Sequence, residues 1–360
     1  MNQNLAAPSF GPAGFHPQAS GPLRAGALRL HLMHMYSGVK TGWMSFLRKS
    51  STAVYDGGRT LNTPAQPTAV PGRPAKIEAS TSCKDVIMGN YTKGLTERRH
   101  HTQLREGYCL ICGTLGPLSW DHVPPKGSIT ITRVEQAHLT EVMGINPDPV
   151  IGVKSSNGSK FRTICMHCNS SHLGTNDQEV ASVYKGMSEK IKQYFMRADS
   201  PVNHVHMPFD GMKFCRAMVG HVLSATTVKE CLQKPVPIPY YAPLQKFVTG
   251  DDTATDGTHD FYVWFYPHRR HMSIKMFTCR NHGHIATLSL LSFFPLAFLI
   301  TEKGQGIYPS GATPVKPSGN ILTVKLDSGH LPYAAFPNAG LQGDQMILLS
   351  DIQSIVSYPI

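Results

Sequence analysis

Two cysteine pairs of equal spacing, Cys109-Leu-Ile-Cys112 and Cys165-Met-His-Cys168, constrain this chain more than any other feature. A Cys-x-x-Cys turn aims two thiolates at one point, and two such turns complete a tetrahedral zinc shell. Four sulfurs leave no open coordination position, so a zinc ion there is structural and ties two distant segments together. The chain has eight cysteines, and the other four, Cys83, Cys215, Cys231 and Cys279, are scattered singly. A secreted disulfide framework is shorter and denser in cysteine. Paired spacing in 360 residues therefore reads as metal binding in a reducing compartment such as the cytoplasm.

Between the knuckles lies Ser119-Trp-Asp-His-Val-Pro-Pro125. In an extended segment Asp121 and His122 point to opposite faces, and they share a target only where the backbone bends. Pro124 and Pro125 end any regular ladder, which places the dyad at a strand end open to solvent. The second knuckle runs on into Asn169-Ser-Ser-His172-Leu-Gly174-Thr-Asn176-Asp177, whose Asn, His and Asp offer oxygen and nitrogen ligands to a divalent ion.

This order of motifs resembles the HNH endonuclease family, in the branch with an (Asp/Glu)-His-x-x-Pro … Cys-x-x-Cys-Asn-x-x-x-Gly signature. The resemblance covers roughly residues 105–180. It implies a ββα-metal fold, a β-hairpin packed on a helix around one catalytic divalent ion. It makes His122 the general base that deprotonates water, Asp121 a ligand of Mg²⁺ or Mn²⁺, and Asn169 the brace of the loop carrying His122. Asp177 falls near the family's second ligand position, with Asn176 and then His172 as fallbacks. Cys109, Cys112, Cys165 and Cys168 match the zinc ligands of many members. The interval from His122 to Asn169 is longer than in compact members, so residues 127–160 hold an insertion or an extended loop. The chemistry is consistent with this assignment. Phosphodiester hydrolysis needs an activated water and a cation against the developing charge, and a neutral His accepts a proton at cellular pH. Hard cations favour Asp and Asn oxygens, whereas thiolates take zinc.

With 34 Lys and Arg against 23 Asp and Glu, the chain carries +11. Such an excess suits a polyanionic partner, here nucleic acid and foremost DNA. The basic run at 93–105 suits either a phosphate contact or a solvated helix face. A hydrophobic fraction of 41% points to a chain that is globular over most of its length. The longest weakly polar stretch, Ile285 to Leu299, is interrupted by Thr287, Ser289, Ser292 and Pro295 and is too short for a membrane span. It reads as buried strands, and no membrane association is expected.

Three domains are expected. Residues 1–82, rich in Pro, Gly, Ala, Ser and Thr, form a disordered tail. Five Lys or Arg and no Asp or Glu precede Tyr55, which fits a transit peptide, a basic tail, or an over-long start with Met33, Met35 or Met44 as the true first residue. Residues 83–200 form the nuclease module. Residues 201–360 form a separate α+β or mostly β domain, for an α+β chain as a whole. Apolar residues at three- and four-residue steps predict helices at 177–196 and 212–225. Strands are expected at 261–266 and 272–277, joined by a hairpin loop through Pro267–His271, and at 285–301, 320–326 and 345–350. His100, His101, His268, His271, His282 and His284 read as surface or loop residues, and Trp120 and Trp264 as packing. Two rival functions are a zinc-stabilised nucleic-acid binder that does not cut, and a scaffold whose knuckles staple a partner-docking domain.

Overall fold

The computed structural model describes residues 104–143, 152–197, 202–281, 283–305, 307–309, 311–326, 344–350 and 353–360. The expectations for residues 1–82, for Cys83, His100, His101 and His282, and for most of the basic run at 93–105 lie outside them. The chain divides into units Met1–Lys76 and Ile77–Ile360, and everything described belongs to the second. That unit is mixed α and β, with strands predominating.

Strands β1 (Glu106–Tyr108), β2 (Leu115–His122) and β5 (Lys160–Cys165) form a small antiparallel sheet in the order β1-β2-β5. A π-helical turn (Cys168–Leu173) leads from β5 into helix α2 (Gly174–Met196). The interval from His122 to Asn169 is occupied in part by β3 (Val134–His138), helix α1 (Leu139–Met143) and β4 (Val153–Ser155). The inserted β3 leaves the small sheet and pairs with β14 (Ser354–Pro359) near the end of the chain.

The large sheet has the order β11-β7-β10-β9-β8-β14-β3-β4, with β13 (Met346–Leu349) beside β8. Its members include β7 (His259–Phe265), β8 (His271–Asn281), β9 (His284–Phe293), β10 (Leu296–Glu302) and β11 (Thr313–Val315), and β9 and β10 are almost wholly buried. Along β9 and β10 alternate residues enter different clusters: Leu291, Phe293, Phe298 and Ile300 join one, and Leu288, Leu290, Ala297 and Leu299 the other. A sheet buried on both faces reads as a continuous apolar run, which is why residues 285–299 look almost membrane-like in sequence. Among the described residues no helix is long and apolar enough to cross a membrane.

Helix α2 buries Val180, Val183, Tyr184, Met187 and Ile191, one stripe at helical spacing. Helix α3 (Gly211–Ser224) starts at Asp210, whose carboxylate accepts from the Lys213 backbone N–H at 3.1 Å, and is buried nearly all round. It packs against α2, helix α4 (Tyr241–Val248) and the β9 face of the large sheet. One cluster joins Ile164, Leu173 and Tyr184 to Phe214, Met218 and Phe293. The elements on either side of residue 200, expected to form separate domains, thus share one core as well as one sheet.

The expected hairpin between β7 and β8 does not form, because β10 and β9 stand between them in the sheet. The tight reversal is instead made between β8 and β9, where Gly283 adopts φ +79°. A left-handed residue of this kind suits a short turn, and the 267–270 segment, Pro-His-Arg-Arg, contains no glycine to supply it. His271, expected on the surface, opens β8 at 9% exposure, and His259 is likewise buried. Burial pushes both imidazoles down to about 4.

These two histidines stay neutral in the fold while the unfolded chain binds protons below about 6.5. Stability is therefore complete above pH 6.5 and falls as pH drops from 6.5 towards 4, by on the order of 3 kcal/mol per histidine. Urea denaturation across that range should show the decline, and His271→Leu should remove roughly half of it.

Candidate functional site

The two cysteine pairs meet. Cys109 and Cys112 lie in the turn between β1 and β2, closed by the Gly113 N–H donating to the Cys109 carbonyl at 2.8 Å, with Gly113 at φ +72°. Cys165 ends β5, and its Sγ accepts from the Cys168 N–H at 3.4 Å. The four sulfurs lie within 4.8 Å of one another. Cys112 Sγ and Cys165 Sγ are 3.8 Å apart, against an edge of about 3.8 Å for a tetrahedron with Zn–S near 2.3 Å. A hydrogen bond from Cys168 draws the Cys109 thiol down to about 5, and the same bond pushes Cys168 up. Donor type and spacing both fit a metal such as zinc. Cys215, Cys231 and Cys279 are buried singly elsewhere.

This cluster fixes the start of the π-helical turn against β2, and Asn169 follows directly. Its Nδ2 donates to Ser119 Oγ at 2.9 Å and to the Trp120 carbonyl at 2.8 Å. Asn169 therefore grips β2 immediately before Asp121 and His122. β2 then runs to its last residue, His122, where the ladder stops ahead of Pro124 and Pro125.

Asp121 and His122 diverge, as strand alternation requires. Asp121 is 3% exposed and faces the helices. Its Oδ2 accepts from His221 Nδ1 at 3.1 Å and from Ser224 Oγ at 2.5 Å. His221 Nε2 in turn donates to Asp177 Oδ1 at 2.8 Å, in the first turn of α2. One imidazolium thus joins the two acids that the sequence singled out. Burial works to lower the His221 pKa, but the flanking Asp121 and Asp177 outweigh it and raise it to about 10. The other oxygen of each carboxylate takes no part in these bonds and is a hard donor suited to a divalent cation.

The fallback ligands are engaged elsewhere. Asn176 Nδ2 donates to the His172 carbonyl at 2.6 Å, and the His172 ring sits edge-on to His167 with centroids 4.9 Å apart. His122 is half-buried on the other face of β2. Burial first, and then the Lys160 charge, lower its pKa, which favours the neutral ring.

Sequence reasoning missed His221 and Ser224. Both lie on α3, far from Asp121 in the chain, inside a helix that reads as pure core. The available signal was a lone histidine in the apolar stretch Phe214–Leu223, with a serine three residues on and so on the same face. Gly220 makes the placement possible: a Cβ there would stand 2.0 Å from Leu173 Cδ2, so only glycine lets α3 approach the head of α2 this closely. Trp120, expected as packing, is 40% exposed, whereas Trp264 is buried.

Two outcomes follow. Purified chain should hold one zinc by elemental analysis, and Cys168→Ser or a strong chelator should release it and lower Tm, since metal and folding are linked. His221→Leu leaves two carboxylates facing each other without their cation. It should cost about 3–5 kcal/mol in chemical denaturation, the scale of a broken buried ion pair. The wild-type contribution is complete below about pH 6.5 and is lost as pH rises through about 10.

Comparison with protein-family models, with characterised proteins and with solved structures gives no match to this chain.

Proposed function

We propose that this chain is a metal-dependent endonuclease of the HNH type, hydrolysing phosphodiester bonds in nucleic acid, foremost DNA. The observation that carries the reading is the convergence of three separated motifs. Asn169 bonds to β2 just before the Asp121-His122 dyad, and Asp121 is linked to Asp177 through His221. In this reading His122 is the general base, kept neutral by its surroundings and hence able to take a proton from water. Asn169 holds the backbone that presents it. Asp121 and Asp177 would hold Mg²⁺ or Mn²⁺, which when bound supplies charge against the phosphorane-like transition state. The four cysteines hold zinc and stay outside the chemistry, as a closed sulfur shell must. Thiolate ligation suits a reducing compartment such as the cytoplasm.

A second reading rests on the same bridge. An imidazolium bonded to both carboxylates already balances their charge, and so the module can be a non-catalytic nucleic-acid binder. Cleavage of plasmid and single-stranded DNA by the zinc-loaded protein with Mg²⁺ or Mn²⁺ separates the two. The nuclease reading expects metal-dependent cutting that falls by roughly 10²–10⁴-fold in His122→Ala. Binding without cutting, with an affinity that drops steeply with salt, would replace it with the second.

A further inference from the structure

Between the small sheet and the β3–β14 side of the large one lies a small open cleft of about 80 Å³. It is lined in part by Trp120, Lys160, Arg162, Gln136 and Thr227, and among the described residues no acidic one lines it. Trp120 stands two residues before His122 on β2. Lys160 is the direct cross-strand partner of His122 on β5. The Arg162 guanidinium lies over the Trp120 ring at 5.5 Å and is fixed there by its Nε donating to the Leu118 carbonyl at 2.9 Å. A large aromatic surface with a stacked cation is thus left 40% exposed next to the proposed base.

A second, independent feature points to a ligand. Thr227 is 8% exposed, and its Oγ1 finds no hydrogen-bond partner among the described residues. A buried hydroxyl without a partner is destabilising, and this one lines the cleft.

We propose that the cleft takes one unstacked nucleobase of the substrate strand, adjoining the phosphate at His122; this deepens the nuclease reading and rests on it. The base stacks on the Trp120–Arg162 surface, Lys160 meets the flanking phosphate, and the Thr227 hydroxyl bonds to the base edge. Stacking on an aromatic ring tolerates any base, and a base can reach it only out of a duplex. The preferred substrate is therefore single-stranded or locally unpaired nucleic acid.

The test uses full-length, zinc-loaded His122→Ala protein and a short oligonucleotide carrying 2-aminopurine. The single strand should bind with quenched fluorescence, and the matched duplex more weakly. Adding Trp120→Ala should weaken single-strand binding roughly tenfold and abolish the quench, whereas Trp120→Phe should retain most of both. Thr227→Val should weaken binding yet raise Tm without nucleic acid, a pairing that a merely structural threonine would not give. Equal affinity for strand and duplex, or indifference to Trp120→Ala, overturns the assignment. If wild type cuts DNA with metal while Trp120→Ala changes nothing, the cleft falls and the nuclease stands. If nothing cuts but single-strand binding needs Trp120, base capture stands and cleavage falls.

Discussion

The bridge from Asp121 through His221 to Asp177 is the interaction around which the rest of the unit is arranged. It joins the end of β2, the head of α2 and the last turn of α3 through one fully buried ring. Two carboxylates brought this close inside a core repel one another unless a cation lies between them. The fold meets that requirement from a helix outside the segment that carries the four clustered cysteines. This is why α3 must press on Leu173, and why glycine stands at position 220. Ser224, three residues on along the same helix face, donates its hydroxyl to Asp121, and its carbonyl accepts from the Thr163 hydroxyl of β5 at 2.5 Å.

The sulfur cluster and the bridge divide the work of holding β2. The cysteines fix the β1–β2 turn to the end of β5 and the π-helical turn, Asn169 grips the strand midway, and the bridge anchors its last inward residue. Trp120 and His122 remain partly exposed, with Lys160 and Arg162 nearby. The strand thus has rigid support on one side and a cationic, partly exposed face on the other.

Much of this was legible in the sequence because it is local. Cys-x-x-Cys turns, the stripe on α2 and the dyad before two prolines each declare themselves within a few residues. What depends on distant pairing was not. The β7–β8 hairpin looked sound because two strand-like runs flank a short loop, yet β9 and β10 fill the space between them. β3 sits in the middle of the nuclease-like segment but pairs with β14, so a boundary near residue 200 could be drawn on composition while the core runs across it. His221 escaped for the same reason: nothing near it in sequence reveals that two acids, on β2 and α2, surround it.

In the reading proposed above, Asp121 and Asp177, joined by His221, serve a divalent cation. A crystal of the zinc-loaded protein soaked in Mn²⁺, with anomalous maps recorded at the manganese and zinc edges, tests this most directly. The expected result is a manganese peak about 2.0–2.3 Å from an oxygen of each carboxylate and a separate zinc peak among the four sulfurs. Zinc at the cysteines with no manganese at the carboxylates, and His221 still bonded to both, would contradict it.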